Sequence, residues 1–302
     1  YGDSHDHEYD GSCHDGIRSA ILPHIREIVR RMTMKNVLTI AGSDSCGGAG
    51  IQADLKTFSA LGTYGMTVIT AVTAQNTQGV YNVREMDEEI IRDQIDCLFK
   101  DIEIAAVKVG MVSSREIIDV IGERLRFWKP PYVVIDPVMV SKSGCHLLRP
   151  EAKDELINVL LPLADVITPN LPEAEVITGE KITGVDQMEK EALMINDMGA
   201  KNVVVKGGHL EGAAVDVLYT GGSIYYLEQK RINTKNTHGT GCTFSSAIAA
   251  YLARGCGVYE AVKQAKDYIT GAIEHSLDIG HGVGPTNHFY RLYARAGVLG
   301  VH

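Results

Sequence analysis

The chain has 302 residues, 45% of them hydrophobic and 22% charged, an ordinary globular composition that is long enough to bury a large single core. Its formal net charge of −9 argues against a binder of nucleic acid or of anionic membranes, and any phosphate site must be locally positive against that acidic background. The six cysteines, Cys13, Cys46, Cys97, Cys145, Cys242 and Cys256, fall at irregular spacings without a Cys-x-x-Cys pair, which is neither a disulfide framework nor a zinc motif and points to a reducing cytoplasm. No apolar run of about 18 residues is long enough to span a membrane, and no basic start followed by an apolar core marks a secretory signal.

From the N-terminus, Tyr1 to Gly16 is polar and acidic and carries His5, His7 and His14 beside Cys13; these residues could bind a metal, but leader or expression-derived sequence is the preferred reading. Ile17, Ile21, Ile25 and Ile28 recur at helical spacing among arginines and predict a short amphipathic helix interrupted by Pro23. The native start is expected at Met32 or Met34, leaving residues 1–33 as an extension and 34–302 as one domain. From Met34 strands and helices alternate. Val37–Ala41, Met66–Ala74, Ala105–Val109, Val133–Val138, Val166–Thr168 and Val203–Val205 read as strands, with helical periodicity between most of them. Val215–Tyr219 and Ile224–Leu227, joined by Gly221-Gly222, predict an antiparallel hairpin at the sheet edge. Tyr268, Ile269 and Ile273 suit a long closing helix. The fold class is therefore α/β, a mostly parallel sheet with helices on both faces and a small antiparallel edge.

In such sheets ligands bind beyond the C-terminal strand ends, where this sequence places Gly42, Gln75, Gly110-Met111, Asp136, Asn170 and Lys206-Gly-Gly-His209. Gly239-Thr-Gly-Cys242 then opens an apolar helical run to Leu252, so unpaired N–H groups and the helix dipole favour an anion there. Read alone, the same residues also fit a glycine-rich loop before a packed helix with an inert cysteine. Gly42 to Gly50 is rich in glycine but lacks the Gly-Lys-Ser/Thr ending of a Walker A loop. Asp136 at a strand end and Glu173 just inside a helix capped by Asn170 can position Mg²⁺ through water, or Glu173 serves helix electrostatics alone. Lys206 can neutralise a terminal phosphate, and Lys266 is a weaker candidate. His209 and His238 receive no chemistry.

The segments Ala41-Gly-Ser-Asp-Ser-Cys-Gly-Gly-Ala-Gly-Ile-Gln-Ala-Asp-Leu-Lys56 and Asn233-Thr-Lys-Asn-Thr-His-Gly-Thr-Gly-Cys-Thr-Phe-Ser-Ser-Ala-Ile248 resemble the ribokinase-like superfamily. Within it they are similar to the bacterial hydroxymethylpyrimidine and hydroxymethylpyrimidine-phosphate kinases of thiamin biosynthesis, over roughly residues 34 to 290. The resemblance implies a ribokinase-like three-layer fold and two ATP-dependent, Mg²⁺-assisted phosphoryl transfers onto one pyrimidine, in the cytoplasm and commonly by a homodimer. It also implies that Gly42 lines the acceptor pocket, that Asp54 reads the pyrimidine, and that Met111 in Lys108-Val-Gly-Met111 walls the ring. On residue chemistry alone, Asp54 also has the lesser reading of a solvated first-turn carboxylate, and an isolated methionine such as Met111 is more often a core residue. Gln75, whose amide both donates and accepts, distinguishes a pyrimidine from a pyridoxal substrate, unless it is only a turn residue. Cys242 either acts as a thiolate base, its pKa lowered at the helix N-terminus, or lines the anion hole. The alternatives are a pyridoxal or pyridoxine kinase and a non-catalytic pyrimidine-binding protein. The polar loop 75–82 is the expected moving segment.

Overall fold

The computed structural model describes residues 34–140, 144, 147–208 and 214–298. The readings made for residues 1–33 and for His209 lie outside them. Nine strands form one sheet in the order β3-β2-β1-β4-β5-β6-β7-β8-β9. They are β1 (Lys35–Asp44), β2 (Thr63–Gln75), β3 (Val80–Glu85), β4 (Ala106–Val109), β5 (Val133–Ile135), β6 (Val166–Ile167), β7 (Val203–Val205), β8 (Ala214–Thr220) and β9 (Ser223–Gln229). β2, β1, β4, β5, β6 and β7 run parallel, whereas β3 at one edge and β8 and β9 at the other are antiparallel to their neighbours.

The helices are α1 (Gly50–Ala60), α2 (Glu88–Asp101), α3 (Arg115–Trp128), α4 (Leu171–Thr178), α5 (Val185–Asp197), α6 (Thr240–Ala253), α7 (Val258–Glu274) and α8 (Tyr290–Arg295), with an irregular helical run over 150–163. The central strands are apolar on both faces because helices cover both. Leu38, Ile40, Val133, Ile135, Val203 and Val205 pack toward α2, α3 and α5, while Val37, Val134, Val166 and Val204 pack toward α1, α6 and α7. α6 is buried over nearly all its length, which explains its run of alanines. No helix among the described residues is long and apolar enough to cross a membrane.

Two expectations change. β5 stops at Ile135, so Asp136 to Met139 is loop and Asp136 sits where the chain leaves the sheet. The segment 75–82 is no free loop: Gln75 pairs with Val80 and the chain turns straight into β3, held by Asn76 N–H donating to Gly79 O at 3.1 Å. β3 was hidden because its side chains are partly or fully exposed, and its apolar members Val80, Tyr81 and Val83 do not alternate with the polar ones.

Candidate active site

A cavity of about 790 Å³ opens beyond the C-terminal ends of the parallel strands. Gly42, Gln75, Met111, Asp136, Asn170, Glu173, Lys206, Lys266 and Gly239 to Cys242 all line it.

At one end β2 bulges opposite Gly42, with Thr70 and Ala71 facing that single residue of β1 between the pairs Ala41–Ile69 and Ser43–Val72. A Cβ there would lie 2.8 Å from Met111 Sδ, so the glycine lets the methionine close over the strand. The Gln75 backbone is fixed by a reciprocal pair with Ser45, which donates its hydroxyl to Gln75 O at 2.7 Å and accepts from Gln75 N at 2.9 Å. Beside it stands a dyad that sequence reasoning missed. Asp44 accepts from the N–H groups of Cys46, Gly48 and Ala49, and His238 Nε2 lies 2.8 Å from its Oδ2. Burial alone would raise the Asp44 carboxyl, but His238 and the Ala49 and Cys46 amides outweigh it and hold the group below its ordinary value. The two residues are 194 positions apart, and only their places inside the two glycine-rich segments hinted at a meeting.

Asp54 does not read a ligand. It is fully buried under the site, where Lys108 donates to both of its oxygens at 3.0 and 2.9 Å and Thr39 and Ser246 each donate at 2.6 Å. Its place one turn into α1 points it at the sheet, where Lys108 occupies a position that strand alternation would otherwise fill with an apolar side chain. The solvated first-turn alternative fails for the same reason.

The turn before α6 is set by Gly239 at φ +79°, the left-handed region. Thr243 N–H makes the first helical bond to Gly239 O at 2.9 Å and Thr240 N–H is taken by Thr237 O, so the Gly241 and Cys242 N–H groups have no intrahelical acceptor and stand at the cavity. A Cβ on Gly239 would collide with the Gly48 carbonyl oxygen. Gly239→Ala is therefore expected to displace the turn by about 1 Å and lower kcat on the order of 10²-fold, with the melting temperature reporting the separate structural cost. The expected lowering of the Cys242 thiol is not found: burial pushes it up to about 11, against the opposing pull of Lys108.

Opposite the turn, Lys206 Nζ lies 2.9 Å from Asp136 Oδ1, and Asp136 also accepts from Thr168 at 3.2 Å and Ser245 at 3.4 Å. Burial would lower the Lys206 ammonium, but Asp136 and Glu173 together hold it above its ordinary value. Asn170 and Glu173 form a reciprocal capping box on α4, with Glu173 Oε2 accepting from Asn170 N–H at 2.8 Å. Burial and the nearby Asp136 push Glu173 up to about 7 despite Lys206. Two carboxylates thus share one ammonium. That excess of negative charge and hard oxygen donors fits a divalent cation, and Glu173's commitment to its own helix cap favours contact through water. Lys266 lines the cavity but is committed to Asp216 at 2.6 Å, whose other oxygen accepts from Gly207 N–H.

Glu173 carries a pH prediction for the cation-free and nucleotide-free protein. The folded chain keeps this proton up to about pH 7, whereas the ordinary value of 4.5 governs the unfolded chain. The folded state binds the extra proton between those limits, so stability falls as pH rises through that window. Glu173→Gln removes this titration. Its melting temperature minus that of the native protein should increase from pH 5 to pH 8 by a few degrees, about 2–4 °C for each kcal/mol. A constant difference would refute the assignment.

Residues 44–287 match the sequence profile of the family described as Phosphomethylpyrimidine kinase. A hydroxymethylpyrimidine/phosphomethylpyrimidine kinase of Rhizobium meliloti is 54% identical over 259 residues, covering 84% of this chain and 97% of that protein. The crystal structure of a phosphomethylpyrimidine kinase from Clostridium difficile matches with a TM-score of 0.72 and 56% identity, over 79% of this chain and 99% of that one. The ADP complex of Bacillus subtilis pyridoxal kinase matches with a TM-score of 0.80 and 44% identity, over 85% and 98%.

Proposed function

The chain belongs to the phosphomethylpyrimidine kinase family, and on that premise we propose that it moves the γ-phosphoryl group of ATP onto the hydroxymethyl oxygen of 4-amino-5-hydroxymethyl-2-methylpyrimidine, then onto the resulting monophosphate, in thiamin biosynthesis. The observation that carries this reading is a single cavity with an anion-binding helix N-terminus between two chemically different ends. One end offers Asp136, Glu173 and Lys206 to a phosphate chain; the other offers the Gln75 amide and the Met111 thioether to a small heteroaromatic ring.

Phosphoryl transfer proceeds through a loose transition state, so alignment and charge stabilisation count for more than covalent help. The Gly241 and Cys242 N–H groups and Lys206 are placed to hold the oxygens of the group in flight. Mg²⁺, bound with ATP and held through water by Asp136 and Glu173, would supply charge neutralisation. A thiol pushed up to about 11 is protonated at neutral pH, which favours Cys242 as a lining group over Cys242 as a base. The hydroxyl proton then leaves late, to solvent.

The test is ADP release from Mg–ATP with hydroxymethylpyrimidine, its monophosphate and pyridoxal offered separately. Turnover of both pyrimidines with little on pyridoxal is the expected result, with Cys242→Ser retaining much of the rate; preference for pyridoxal would overturn the substrate assignment.

A further inference from the structure

The Gln75 amide faces two partners, with Nε2 3.4 Å from His238 Nε2 and Oε1 3.3 Å from Thr73 Oγ1. Amide nitrogen and oxygen have the same shape, so the surrounding donors and acceptors decide which points where. Asp44 is an ionised carboxylate, an acceptor only, and lies 2.8 Å from His238 Nε2. That ring nitrogen must therefore carry a proton, whether the imidazole is neutral or cationic. With the Gln75 nitrogen toward the histidine, two donors would confront each other. The other side has the same fault, because the Thr73 hydroxyl proton is already given to Ser43 O at 2.9 Å and Thr73 has none left for a carbonyl. Turning the amide by 180° relieves both contacts: the Nε2 proton stays with Asp44, Oε1 takes the 3.4 Å place beside that N–H where an amino group would be repelled, and the amino group donates to Thr73 Oγ1.

The histidine has little freedom to respond otherwise. Its backbone N–H donates to Gly284 O at 3.0 Å, its carbonyl accepts from Thr286 N–H at 3.3 Å, and its ring lies so close to Gly48 that a Cβ there would overlap Cδ2. Asp44 is held in turn by three backbone amides.

We propose that Asp44 and His238 are positioning residues for substrate choice, locking Gln75 with its carbonyl toward His238 and its amino group toward Thr73. The amide keeps one acceptor lone pair and one N–H for a ligand. A ring nitrogen flanked by an amino group, as in a 4-aminopyrimidine, satisfies both at once, and the lock decides which way round the ring sits. A ring without the amino group covers the Gln75 carbonyl and leaves its lone pair without a donor, which is how a hydrogen-bonding site discriminates. The specificity half of this proposal rests on the pyrimidine reading above, whereas the lock does not.

The experiment has two arms. In the first, the native protein labelled with ¹⁵N at histidine and glutamine side chains is examined by NMR without substrate. The expected result is a protonated His238 Nε2 and a Gln75 amino group with Overhauser contacts to Thr73. An unprotonated Nε2, or the amino group on the histidine side, overturns the lock. In the second, kcat and KM are measured for hydroxymethylpyrimidine and its 4-deamino analogue in the native protein, His238→Phe and Thr73→Val. The KM for the amino compound should rise about tenfold in His238→Phe and severalfold in Thr73→Val, and the preference over the deamino analogue should fall in parallel, with the KM for ATP unmoved. Retention of that preference within twofold in both variants overturns the specificity role, as does a joint rise of both KM values with a lower melting temperature. Thr73→Val keeps the shape of its site, so the reading survives if His238→Phe does not fold. Absence of any pyrimidine turnover by the native protein overturns the substrate reading and the specificity half together, and the NMR arm still decides the lock.

Discussion

Lys108→Met should destabilise the protein by ~3–5 kcal/mol, a large part of the ~5–15 kcal/mol that holds a typical domain together. The reason lies in what remains behind. Asp54 is fully buried with two hydroxyl donors, Thr39 and Ser246, and with Lys108 as its countercharge. Methionine fills the volume but leaves a carboxylate away from water with no cation. The network also ties α1 to α6 through Ser246, so the loss would loosen the helix whose first turn forms the anion site. Removing both charges, as Lys108→Met with Asp54→Asn, should recover most of the stability, because a buried pair taken out whole costs far less than one broken. Urea denaturation midpoints of the two proteins provide the check. A single-variant cost below about 1 kcal/mol would show that Asp54 is not left charged by the loss of its partner.

Lys206→Met should lower kcat on the order of 10²- to 10³-fold, the usual scale for removing one preorganised donor from a developing anion. The ammonium sits between Asp136 and the α6 turn, where a Cβ added to Gly241 would lie 3.6 Å from it. Its removal leaves Asp136 and Glu173 facing an incoming polyanion without compensation. Lys206→Arg should not restore the rate, since a planar guanidinium does not fit the place of a compact point charge. Single-turnover measurements at saturating Mg–ATP isolate the chemical step. A kcat within threefold of the native value would remove Lys206 from the chemistry.

Much of this architecture was legible because the chemistry follows from local rules. Val203–Val205 and the Val133–Ile135 core read as strands because β-branched runs buried on both faces have few other homes. Asp136 and Lys206 were found because they follow such runs, and Glu173 because Asn170 and Pro172 announce a helix start. Pairings at long range were not legible. Asp54 follows a glycine-rich turn in a position that favours exposure, and only the fold brings Lys108 beneath it. Lys108 itself carried a faint signal, a lysine inside a four-residue strand whose other members are all apolar. His238 looked like loop filler until its ring was seen against Asp44. β3 was lost for the opposite reason, being an edge strand whose apolar and polar residues do not alternate.

The seating of α6 against α1, β1, β4 and β5 also governs when in its life each molecule becomes active. The chain leaves the ribosome N-terminus first at ~5–20 residues per second, so β1 waits tens of seconds for residues 239–253 to emerge. During that wait Lys108 and Asp54 lack Ser246, Gly48 lacks the turn that rests on it, and one face of the sheet lacks the alanine-rich helix that covers it. A chain stalled at β9 holds all nine described strands and lacks the turn before α6 that forms the anion site. Translation therefore delivers the activity in a single late event, and an unfinished chain is silent instead of partly active.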